Sequence, residues 1–212
     1  MHALYGVLWQ PKRVFTGLAD IKVSRLVVAF ILIEFLYSLS IYSHFSEGAA
    51  KAIAASPHLT AGSAPYLVAI TIFLSSMGYT LMVALLAVLF LIVAYILGGK
   101  PSYRAVFGML LLASTPALLD HLSRGAAYLG GWNDGVGSLL ALHRLLPVPE
   151  SGLLAEALKT FDMFDIWISV LVTVGFVCVS GLKRFSALGG VLLVWGAFLL
   201  LAFRIHMLGV AA

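Results

Sequence analysis

The chain of 212 residues is 62% hydrophobic and only 10% charged, with a formal net charge of +4. A soluble domain carries roughly a quarter charged residues, so this composition excludes a surface able to face water and points to a bilayer. The thirteen Lys and Arg are dispersed at the ends of apolar segments, which excludes the continuous basic face that nucleic-acid binding needs.

Crossing about 30 Å of hydrocarbon takes roughly 20 apolar residues as a helix. The apolar runs here are continuous, whereas a membrane barrel would alternate in pieces of about ten. The expected fold is therefore all-α: a five-helix transmembrane bundle with short interfacial helices. An N-terminal interfacial segment (1–22) precedes a single membrane domain (23–208).

Residues 1–20 are too polar to span. Pro11 opens a helix that places Val14, Phe15 and Leu18 on one face beside Lys12 and Arg13, as expected of a helix lying on an anionic leaflet; a frayed terminus is the alternative. Lys12 and Arg13 sit mid-segment and no small-residue cleavage site follows, so a cleavable signal is not expected. The first span is read at 23–42, broken only by Glu34, and a loop rich in Ala, Ser, Pro and Gly is expected from Ser43 to Pro65. The second run, 66–97, reaches about 48 Å, longer than a bilayer needs. It should therefore tilt, bend near Ser75, Ser76 and Gly78, or project beyond the membrane. Gly98, Gly99 and Pro101 end it.

The third span is read at 103–119, with Pro116 kinking it or marking its exit. A polar stretch follows from Ser123 to Asp162, with two leucine-rich pieces, Ser138–Leu146 and Ser151–Leu158, read as amphipathic turns on the membrane surface. The fourth and fifth spans are read at 163–182 and 185–208, with Lys183 and Arg184 in the turn between them. One set of helix ends carries Lys12, Arg13, Lys22, Arg25, Lys100, Arg104, Lys183 and Arg184. The other carries Lys51, Arg124, Arg144, Lys159 and Arg204 over longer loops. Basic residues favour the cytoplasmic side, which places the N-terminus inside and the C-terminus outside, in an inner (cytoplasmic) membrane.

Ionisable and polar groups within spans are costly and call for a role. Counting along the helices places Glu34 near the midplane, with Ser114, Thr115, Thr173 and Trp195 at similar depth. Glu34 either glues helices as a hydrogen-bonded carboxyl or lines an ion or proton path. A second group, His44, Asp120, His121, Asp162, Asp165, Arg204 and His206, is expected in an outer layer. There Asp162 and Asp165 cap a helix start, and Arg204 pairs with Asp165. A divalent metal on Asp120, His121, Asp162 and Asp165 is the alternative. Cys178 is alone in an apolar run and reads as an inert buried thiol. No H-E-x-x-H or G-x-S-x-G occurs, so neither catalytic residues nor a cofactor are expected.

The segment "PKRVFTGL" from Pro11, Gly98, Gly99 and Tyr103 before the third span, Pro116, and "FDMFDIW", with Asp162, Phe164 and Trp167 opening the fourth span, together resemble the Yip family of Ypt/Rab-interacting membrane proteins. The resemblance spans about residues 11–205 and implies a five-helix bundle with a cytoplasmic N-terminus. The family's eukaryotic members bind prenylated GTPases through a long cytosolic N-terminal region. That region has no counterpart here, so the chain is similar to the short bacterial members and GTPase binding is not expected. The leading functional reading is a non-enzymatic membrane protein of this type, acting through lipids, other membrane proteins or copies of itself. A small ion or solute translocator using Glu34 and the outer Asp/His group, and a metal-dependent membrane enzyme, are the alternatives.

Overall fold

The computed structural model describes residues 2–56, 58–131 and 162–210, with His2 and residues 198–210 described by backbone alone. These residues are almost entirely helical, and no strand occurs among them. The helices are α1 (His2–Trp9), α2 (Pro11–Thr16), α3 (Val23–Ser40), α4 (Tyr42–Ala55), α5 (Ala64–Ile96), α6 (Tyr103–Ala113), α7 (Thr115–Leu129), α8 (Met163–Ser180) and α9 (Arg184–Val210).

Among the described residues, four stretches of helix are long and apolar enough to cross a membrane: Val23–Ser40, Ala61–Ile96, Tyr103–Leu129 and Met163–Ser180. The described apolar part of α9 is shorter, Arg184–Ala197. Helix α5 shows why these helices suit lipid. Tyr66, Ile70, Phe73, Met77, Leu81, Leu85, Val88 and Ile92 are all exposed and recur every three or four residues, which aligns them on one face. Contiguous apolar surface of this extent is rare on a soluble monomer, whereas in hydrocarbon it costs nothing.

Three expectations are corrected. The stretch Ser43–Pro65 is not a loop; α4 occupies 42–55 and a 3-10 turn follows at Ala61–Ser63. Its Ala-rich "GAAKAIAA" has high helix propensity, and Ala49 packs with Val68 and Ile72 of α5. The third span does not end near residue 119 but continues to Leu129. Pro116 does not mark an exit but an interruption: α6 stops at Ala113 and α7 begins at Thr115, with Pro116 in its first turn, where the missing N–H has no partner to lose. Helix α5 runs unbroken through Ser75, Ser76 and Gly78, and the Ser76 hydroxyl donates to the Ile72 carbonyl at 2.7 Å. The leucine-rich pieces at 138–146 and 151–158 lie outside the described residues.

The chain divides into two compact units. One comprises Met1–Val23, Val83–Ala113 and Ser169–Ala212. Its core includes Val7, Phe15, Phe90, Met109 and Phe176, and Phe90 meets Phe176 edge-on at 5.3 Å. The N-terminal segment belongs to this core: Phe15 is 2% exposed and packs, with Met109, at Gly175 of α8. Lys12 and Arg13 of the same helix face outward. Helix α5 ends here in a paired-carbonyl cap. Gly99 N–H donates to Ala94 and Gly98 N–H to Tyr95, with Gly98 at φ +87, a conformation that favours glycine. The other unit comprises Ser24–Met82 and Ser114–Ile168 and holds the buried charges.

Candidate functional site

Helix α3 places Phe30, Tyr37 and Ser38 three or four residues from Glu34, and all four are buried. Helix α7 offers Asp120, His121 and Arg124 to the same region, the first and last one turn apart. The two helices approach closely at Gly125, where an added Cβ would collide with the Ser40 hydroxyl and stand 3.4 Å from the Tyr37 ring.

At the centre, the Glu34 carboxylate lies 2.8 Å from His121 Nδ1, with Glu34 only 3% exposed. Either an Nδ1–H donates to the carboxylate or a carboxylic acid donates to Nδ1; in both states one proton lies between them. The imidazole is held by two tyrosines. Tyr37 stacks on it at 4.7 Å and Tyr79 of α5 meets it edge-on at 5.9 Å. Phe30 stacks against Tyr79 at 6.2 Å, and Ser114 lies beside the Tyr79 hydroxyl.

A second set adjoins the first through Tyr37, whose hydroxyl lies beside Arg124. Arg124 pairs with Asp120, one turn earlier on α7, and reaches Asp162 at 3.5 Å. Asp162 caps α8. Its carboxylate accepts from Asp165 N–H at 2.8 Å, and the Asp165 carboxylate accepts from Asp162 N–H at 3.0 Å. This reciprocal exchange satisfies two of the N–H groups a helix start leaves open.

Glu34 and the Asp/His group were expected in separate layers; the structure brings Glu34 to His121, because Asp120 and His121 lie within α7, which runs on past residue 119. Ser114 enters through Tyr79, and Thr115 is buried beside it. Thr173 and Trp195 belong to the other unit; the Thr173 hydroxyl donates to the Ser169 carbonyl at 2.8 Å, and Trp195 is half-buried. His44 is exposed on α4, beside Phe45. The side chains of Arg204 and His206 lie outside the described residues, so the Arg204–Asp165 pair does too. Arg124 is, among the described residues, the cation that reaches the capping pair. Among the described residues no three His, Cys, Asp or Glu side chains are placed to hold a metal ion. Phe164 and Trp167 are partly buried in the first turns of α8.

Sequence reasoning missed Arg124 and the two tyrosines. Arg124 was legible as the i+4 partner of Asp120 and Tyr37 as the i+3 neighbour of Glu34, whereas nothing in the sequence near Tyr79 reveals its place against His121. Compared with protein-family models, characterised proteins and solved structures, the chain matches none.

Proposed function

We propose that the protein is a non-enzymatic, multi-pass membrane protein of the Yip type that acts through lipid or protein partners, its buried Glu34–His121 and Arg124–Asp cluster clamping helices rather than conducting. The observation that carries this reading is the packing of Glu34. At 3% exposure, bonded to His121 and enclosed with it by Tyr37 and Tyr79, it is a satisfied interhelical contact of the kind that holds membrane helices together. Five spans, with α9 as the fifth, put the N-terminus in the cytoplasm and the C-terminus outside an inner membrane, in keeping with the dispersed basic residues. Asp162, Phe164 and Trp167 opening α8 support the Yip reading, with Asp162 as its N-cap.

A second reading is favoured by the chemistry of the same pair. Carboxylate–imidazole pairs inside spans are the parts from which proton relays are made, so Glu34 and His121 would pass a proton in a small translocator. Proteoliposomes with an internal pH dye decide between the two. The clamp reading expects wild type and Glu34→Gln to dissipate an imposed pH gradient no faster than protein-free vesicles. Proton flux in wild type that Glu34→Gln abolishes, with folding intact, supports the relay instead.

A further inference from the structure

The unit containing α1, α2, α6 and the first turns of α9 is strongly basic. Lys12, Arg13, Lys100, Arg104, Lys183 and Arg184 belong to it, and Asp20 is its one acidic residue. These six, and Lys22 with them, are exposed. None forms an ion pair among the described residues; Arg13 has only the Gln10 side-chain oxygen, at 3.3 Å.

They gather at one end of the unit. An added Cβ on Gly99, beside Lys100, would lie 3.1 Å from the Ser180 carbonyl, so the turn after α5 touches the turn after α8 that carries Lys183 and Arg184. Lys12 is near enough to Cys178, in the last turn of α8, to act on it electrostatically. The α1–α2 hairpin is docked on this end by Val7 and Phe15, 0% and 2% exposed, while Tyr5 and Trp9 stand 70% and 69% exposed with their rings 6.5 Å apart. Large exposed aromatics beside uncompensated cations match the headgroup layer of a bilayer, where Trp and Tyr concentrate and basic side chains meet lipid phosphate.

We infer that this end is a docking surface for anionic phospholipid headgroups, with Tyr5 and Trp9 seated in the interface and Lys12, Arg13, Lys100 and Lys183 on the phosphates. The inference rests on the membrane reading above and names its lipid partner. Solvated ammonium and guanidinium groups at the membrane surface need no partner to be stable, so the surface selects lipid by charge and leaves the fold independent of it.

The test uses the full chain in phosphatidylcholine vesicles that carry brominated phosphatidylglycerol, or brominated phosphatidylcholine, as a minor component, with tryptophan quenching as the readout. Wild type should be quenched at a lower fraction of brominated phosphatidylglycerol than of brominated phosphatidylcholine, and Trp9→Phe should lose part of that difference. Each basic side chain at an anionic surface contributes about fivefold. Lys12→Gln with Arg13→Gln should therefore reduce the preference by up to about 30-fold, and Lys51→Gln on α4 should leave it unchanged. Equal quenching by the two lipids in wild type, or an undiminished preference in the double variant, overturns the inference. Resistance to alkaline extraction tests the membrane reading separately: a retained chain with no lipid preference defeats only the lipid surface, and an extracted chain defeats both.

Discussion

Replacing Glu34 and His121 singly and together with Leu isolates the contact at the centre of the buried cluster. In a soluble core, removing one partner of a buried charged pair costs about 3–5 kcal/mol. Two features reduce that here. The His121 side chain is 20% exposed, and polar interhelical contacts in membranes average about 0.6 kcal/mol with a maximum near 1.7. Against this, the 2.8 Å contact is short and two aromatic rings fix the imidazole, which places the pair near the upper end. The expected coupling is about 1–1.7 kcal/mol, with Glu34→Gln, which keeps a hydrogen-bonding oxygen, costing less than Glu34→Leu. Reversible unfolding in mixed micelles, followed by circular dichroism, measures all corners of the cycle. Distant sites add to within about 0.3–0.5 kcal/mol, so a coupling inside that range would mean that Glu34 and His121 do not meet and the clamp is wrongly drawn.

Other parts of the account make separate predictions. Gly125→Leu should drive α3 and α7 apart at Ser40 and Tyr37 and lower stability by about 1–3 kcal/mol, the usual range for overpacking; thermal unfolding measures it, and a neutral result would deny the close crossing. Phe15→Ala should cost about 3–5 kcal/mol of local packing and release the N-terminal hairpin, read as faster tryptic cleavage after Lys12 and Arg13 with the spans intact; an unchanged cleavage rate would show that the hairpin is not docked. Asp162→Ala should cost about 1 kcal/mol as a lost N-cap and Asp162→Asn much less, since Asn also caps well. Elemental analysis of wild type and Asp162→Asn should find no stoichiometric metal in either, and a metal present in wild type but lost in the variant would turn the cap into a ligand.

How legible this was depended on what each feature required. Continuous apolar runs located the helices at 23–40, 64–96 and 163–180 to within a few residues, because lipid demands an uninterrupted run. Helix α4 was missed because Ser, Pro and Gly around it outweighed the helix propensity of its Ala-rich centre. Pro116 was read as a kink or an exit, and the exit alternative concealed how far α7 runs, since a proline early in a helix opens it as readily as one late in a helix ends it. With the third run ended at 119, Asp120 and His121 were placed after the helix instead of within α7. Glu34 stood out as the one acidic residue in its apolar run, and the Asp162–Asp165 cap could be read from its spacing. The pairing of Glu34 with His121, 87 residues later, needs tertiary packing that no local pattern carries.

The central claim is that the chain crosses the bilayer an odd number of times, with α9 as the fifth span. Single cysteines in a Cys178→Ser background, at positions 3, 100, 183 and 212, probed in intact cells with a membrane-impermeant maleimide, test it most directly. The account predicts that the cysteine at 212 is labelled from outside while those at 3, 100 and 183 react only after the membrane is opened. Protection of 212 together with 3 would leave an even number of crossings, remove α9 from the spans and contradict the proposed topology.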